Sequence, residues 1–148
     1  MVLCREGLMF ARDPAHALAV WGPRAANPWL GVVFDAVSAQ LGTPVPPPGI
    51  PGPFALDHPD RLGRLLTGAG LADVTVGELP TPLRDRSFDT WLARTAALAG
   101  PLARRLAALP DPARQQLRAR LQEAVRPYRT AAGLDFPGVS LLAAGRRP

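Results

Sequence analysis

The sequence predicts an α/β fold, on three observations. Two short apolar runs without alternation, residues 17–21 (ALAVW) and 139–144 (VSLLAA), suit strands covered on both faces. A third stretch, residues 73–79 (DVTVGEL), sets Val74 and Val76 between polar neighbours, as a strand with one exposed face should. Between these stretches, apolar residues recur at the three- and four-residue spacing of amphipathic helices.

At 148 residues the chain predicts a single domain with one core. Its 47% apolar and 20% charged content is that of a globular protein. No apolar run is long enough for a membrane span, and the N-terminus lacks the basic and apolar regions of a secretion signal, so the expectation is a cytoplasmic protein. Cys4 is the single cysteine, which excludes an intramolecular disulfide and a four-cysteine zinc site and fits a reducing compartment. The net charge of +5 is carried by scattered arginines without any lysine. Without aromatic interleaving or a recognised module, that charge does not predict nucleic-acid binding.

In chain order, Val2, Leu3 and Cys4 read as a short strand with Gly7 at the following turn. Asp13 and Pro14 form a helix-start signal, although residue 17 follows too soon for an ordinary parallel crossover. The strand at 17–21 stops at Gly22 and Pro23, and the carboxyl ends of such strands border the ligand crevice in open α/β sheets. That rule makes Trp21, Gly22, Arg24 and Asn27 candidates for a site.

Trp29, Val32, Val33, Ala36, Val37 and Leu41 then mark a helix capped by Asn27 and stopped by Gly42. Residues 42–53 (GTPVPPPGIPGP) predict an extended or polyproline-like loop, because proline removes donors and disfavours helix before it. From Asp57 as cap, Leu62, Leu65, Leu66 and Ala69 mark a second helix ending at Gly70.

Ser87 caps a third helix with Phe88, Trp91, Leu92, Thr95 and Leu98 on one face. Pro101 starts a fourth, with Leu102, Leu106 and Leu109 inward and Arg104 and Arg105 outward. Asp111 and Pro112 start a fifth, striped by Ala113, Leu117, Leu121, Ala124 and Val125. Residues 128–138 (YRTAAGLDFPG) read as irregular, and the run at 139–144 as a central strand.

The blocks GLMF with DP (7–14), LAVWGP with NPW (18–29), PGPFAL (51–56), LLTGAGLADVTV (65–76), SFDTWLARTAALAGPLARRLAALP (87–110) and FPGVSLLAAGRRP (136–148) together resemble a known family. They are similar to the C-terminal half of a class I S-adenosylmethionine-dependent methyltransferase of the type 11, ubiquinone/menaquinone methyltransferase-like branch. The resemblance implies a partial Rossmann-like sheet. Residues 17–21 would be the fifth strand, residues 73–79 the sixth at the edge, and residues 139–144 the seventh, antiparallel and inserted between them. Residues 87–126 would form a helical cap near the methyl-acceptor side.

By the same resemblance Arg5, Gly7 and Leu8 would contact S-adenosylmethionine. Met9, Phe10, Trp21, Asn27, Phe88 and Trp91 would lie near a small-molecule acceptor. Each has a plainer reading: Trp21, Phe88 and Trp91 as core, Asn27 as a cap, and residues 5–10 as a terminal segment.

The family's glycine-rich loop and the acidic residue ending its second strand have no counterpart in this sequence, and a helix before the fifth strand is missing. The expectation is an apparently truncated half, incomplete for donor binding alone. Its alternatives are a non-catalytic remnant or protein-interaction module, or a half enzyme completed by a partner chain. A sheet lacking its centre also predicts self-association, or pairing with a partner chain through an exposed sheet edge. His16 and His58 lack metal-ligand neighbours in sequence, and no hydrolase nucleophile elbow occurs.

Overall fold

The computed structural model describes residues 16–50, 52–98 and 107–148. The segment holding Arg5, Gly7, Leu8, Met9 and Phe10 lies outside the described residues, as does most of the predicted fourth helix. The chain is mixed α/β and divides into two compact units. The first comprises Met1–Asn27, Ile50–Thr81 and Gly138–Pro148, and the second Pro28–Gly49 and Pro82–Pro137.

The first unit is built on strands β1 (His16–Trp21), β2 (Ala72–Pro80) and β6 (Val139–Arg146). Their order is β1-β6-β2, and β6 is antiparallel to both neighbours, so β1 and β2 point the same way on either side of it. The register pairs Val20 with Leu141 and Leu18 with Ala143, and brings Val76 opposite Ala143 from the other side.

Directly paired residues share a face, and on this one Val20, Leu141 and Ala143 are buried. Helix α2 (Pro59–Gly68) covers them with Leu62, 1% exposed, assisted by Leu66 and by Leu56 of the preceding loop. Each fully buried leucine contributes roughly 1.5–3 kcal/mol of transfer free energy. Helix α2 starts with Pro59 in its first turn and Asp60 beside it; His58, not Asp57, precedes it, and neither caps it through a side chain. The chain leaves the helix through Gly70, at a φ of 85°.

The three predicted strands are present, and β2 alternates between half-buried and exposed positions over its first six residues. The two sheets are small and antiparallel, and β6 takes the place expected of residues 139–144, antiparallel between the other two strands; no parallel pair occurs among the described residues. One expectation is corrected: strand β1 lies at the edge of its three-stranded sheet, with Ala19 exposed, rather than covered on both faces. Its unbroken apolar run is rich in alanine, whose methyl group costs little to leave in water, so apolarity there did not require two-sided burial.

The second unit holds α1 (Pro28–Leu41), β3 (Leu83–Asp85), α3 (Phe88–Leu98), α4 (Asp111–Ala124), β4 (Arg129–Thr130) and β5 (Gly133–Phe136). Helix α1 packs on α4 and ends at Gly42, whose φ of 67° suits glycine. Strands β3, β5 and β4 form a second antiparallel sheet with β5 in the middle.

The stretch read as irregular therefore carries two strands, hidden because Leu134 and Phe136 alternate over only four residues. Gly133 is obligatory there: its φ is 130°, and a Cβ would sit 2.1 Å from the Asp85 carbonyl oxygen. The proline segment forms bends and turns rather than a continuous extended run. Its Val45 N–H donates to Ser38 Oγ at 2.9 Å. No described helix is long and apolar enough to cross a membrane.

Candidate functional site

At the carboxyl end of β1 the chain turns sharply and is tied to the start of β6. The Gly22 N–H donates to the Val139 carbonyl at 2.8 Å, extending the ladder one residue past Trp21. A Cβ on Gly22 would lie 2.9 Å from that same oxygen, so the approach requires glycine. Asn27 is fully buried in this turn. Its Nδ2 donates to the carbonyls of Gly22 (3.2 Å), Pro23 (3.1 Å) and Val139 (2.9 Å), and its Oδ1 accepts from the Val139 N–H at 3.2 Å.

Asn27 immediately precedes α1, the cap position expected of it. Its amide holds together two chain segments 112 residues apart. Residues Trp21, Ser140 and Leu79 lie side by side across this end of the sheet. The Ser140 hydroxyl meets that of Thr81 at 3.0 Å, and Thr81 N–H donates to the Gly138 carbonyl at 2.8 Å. Trp21 itself is half-buried.

In the second unit, α3 begins with a reciprocal cap. Ser87 Oγ accepts from the Thr90 N–H and Thr90 Oγ1 from the Ser87 N–H, both at 3.2 Å. That start fixes Phe88 and Trp91 on one face of the helix. Trp91 is 0% exposed. It stacks on Phe136 with ring centroids 5.4 Å apart, lies 5.6 Å from the Phe88 ring, and donates its indole N–H to the Trp29 carbonyl at 3.2 Å. Tyr128 closes the group against Phe136 at 4.7 Å. Trp91 is thus core rather than pocket lining, because its indole N–H finds a partner only inside. Phe88 is half-buried, with the Arg118 guanidinium 4.9 Å above its ring.

Beside this aromatic core, α3 and α4 enclose a cleft of about 410 Å³. Leu92, Ala93 and Ala96 of α3, Leu117 and Leu121 of α4, and Ala107 form its apolar lining. Its polar members are Asp89, Arg114 and Arg118. Arg118 is paired with Asp89, and Arg114 with Asp111. With its charges already matched, the cleft favours an uncharged, apolar occupant, and its size is within the range of small-molecule sites. A second hollow of about 390 Å³ beside β3 and β5 has charged residues in its lining, among them Arg84, which is paired with Asp135 at 3.0 Å.

The predicted site residues divide between the two units. Trp21 and Asn27 belong to the sheet end of the first unit, Phe88 and Trp91 to the helix pair of the second. The α3–α4 cleft was missed because Ala93, Ala96 and Ala107 carry no chemical signature, and Asp89 meets Arg118 across 29 residues of sequence. Among the described residues, no group of three or more histidine, cysteine, aspartate or glutamate side chains could hold a metal ion. Compared with known proteins, the chain matches no family model and no curated protein.

Proposed function

We propose that this chain is the acceptor side of a class I methyltransferase-like fold. It holds a small, uncharged apolar acceptor in the α3–α4 cleft and does not grip S-adenosylmethionine by itself. The observation that carries the reading is the strand arrangement β1-β6-β2, with the last strand of the chain inserted antiparallel between two strands of common direction. That is the order which the sequence resemblance implies for the fifth, seventh and sixth strands. The cleft supports it as well, since it lies within the helical stretch 87–126 that the resemblance puts on the acceptor side.

Methyl transfer is an in-line displacement on a sulfonium carbon, so the protein's work is to hold donor and acceptor in line and keep water out. An apolar cleft with self-neutralised charges can orient an acceptor by shape. The glycine-rich backbone that would approach the donor has no counterpart in these residues, so the donor's grip has to come from a partner chain or further sequence.

A non-catalytic interaction module is the second reading. It is favoured by the burial of Asn27 and Trp91, which spend their polar groups inside the fold.

A titration of the ¹⁵N-labelled chain with 2-naphthol, followed by NMR, tests the proposal. Saturable shifts centred on Leu92, Ala96, Leu117 and Leu121, abolished by Ala93→Trp without loss of fold, are expected. Shifts elsewhere, or none, would leave only the second reading.

A further inference from the structure

The two helices that wall the cleft keep different company within the second unit. Helix α3 makes its close backbone contacts with β3 and β5, and α4 with α1, and the cleft lies between them. Among the described residues one ion pair crosses from wall to wall, joining Asp89 in the first turn of α3 to Arg118 on α4. Both side chains line the cleft. The neighbouring pairs do not cross: Arg94 reaches Asp85 of β3, and Arg114 reaches back to Asp111 on its own helix.

Arg118 has two anchors with different effects. The Phe88 ring, its centroid 4.9 Å from the guanidinium carbon, fixes where the positive charge sits without cancelling it. Asp89 cancels it. A guanidinium offers a planar fork of donors matched to a carboxylate, so while Asp89 fills that fork an incoming anion finds no free cation and meets the aspartate's charge instead.

We propose that Asp89 is the specificity-determining residue of the cleft. By occupying Arg118 it restricts the site to uncharged ligands, and a neutral side chain of the same shape at this position makes the cleft a site for apolar carboxylates. Phe88 keeps the guanidinium at the cleft when its partner is gone. This inference rests on the reading of the α3–α4 cleft as a ligand site, and names the residue that sets the charge of what it takes.

The test compares 2-naphthol with 2-naphthoate, which share a ring system and differ in charge at about pH 7, where a phenol is neutral and a carboxylic acid ionised. Both are titrated into the full ¹⁵N-labelled chain, whose amide spectrum also checks the fold of each variant. The wild type is expected to prefer 2-naphthol. Asp89→Asn is expected to raise the naphthoate-to-naphthol affinity ratio about fivefold, the upper end for a partly exposed ion pair, and the gain shrinks in about 0.5 M salt. Adding Arg118→Met to Asp89→Asn is expected to remove the gain, which assigns it to Arg118 rather than Arg114. Asp73→Asn removes the same charge from the first unit, where Asp73 pairs with Arg146, and is expected to leave the ratio unchanged.

A ratio that Asp89→Asn does not move, that Asp73→Asn moves equally, or that stays raised without Arg118 would overturn the inference. Wild-type binding of 2-naphthol with an unmoved ratio would do so while sparing the cleft as a ligand site. If the wild type takes no 2-naphthol but Asp89→Asn takes 2-naphthoate in the cleft, the role of Asp89 stands and the uncharged-acceptor reading falls. Binding of neither ligand by either chain overturns both.

Discussion

Asn27 shows how much of this fold hangs on one amide. Its two hydrogens reach three carbonyls and its oxygen takes one N–H, all at the junction of β1 and β6. Asn27→Ala would leave the Val139 N–H without this acceptor and remove the donors to three carbonyls, a loss of roughly 3 kcal/mol at 1–3 kcal/mol per stranded buried group. Urea unfolding should register this as a lower midpoint with an unchanged slope. Gly138 is constrained by contact alone: a Cβ would fall 2.1 Å from the Thr81 carbonyl oxygen, so Gly138→Ala should break the Thr81–Gly138 bond and destabilise by about 2 kcal/mol or more. Trp91→Ala should cost about 3–5 kcal/mol, as large buried aromatics do, whereas the half-buried Phe88 should tolerate alanine better. If Trp91 lined a ligand pocket instead, its removal would spare the melting temperature and cost binding.

At the scale of elements, β6 is the organising strand of the first unit. It pairs along its whole length, and its alternate side chains face opposite conditions: Leu141 is 0% exposed and Leu142 47%. Leu141→Ala should cost about 2–5 kcal/mol, while Leu142→Ala should be nearly neutral. A melting comparison of the two variants tests which face α2 covers.

Helices were legible in the sequence where caps and stripes coincided, as in α1 with Gly42 after it and α4 with Leu117 and Leu121 one turn apart. Strand β2 was legible from the alternation of Val74 and Val76. The second sheet was not. Strands of two to four residues fall below any periodicity, and β3, β4 and β5 exist because Leu134 and Phe136 find the buried side of a sheet whose parts lie about fifty residues apart.

At the scale of the molecule, the order of the first unit's strands, with β6 antiparallel between the other two, follows the sequence resemblance, but the edge position of β1 does not. Covering is a non-local property, and an alanine-rich apolar run such as 17–21 does not say whether both faces are covered. The candidate site was less legible still. Trp21, Asn27, Phe88 and Trp91 stand out as residue types, yet three-dimensional structure spends two of them on internal hydrogen bonds, and the cleft that can take a ligand is walled by small residues.

The central claim is a division of labour: acceptor-side architecture without a donor grip. Calorimetric titration of the 148-residue chain with S-adenosylhomocysteine tests it most directly. The account predicts no saturable heat from the chain alone. Saturable binding in the micromolar range would contradict it, and would mean that these residues hold the donor by means other than a glycine-rich loop.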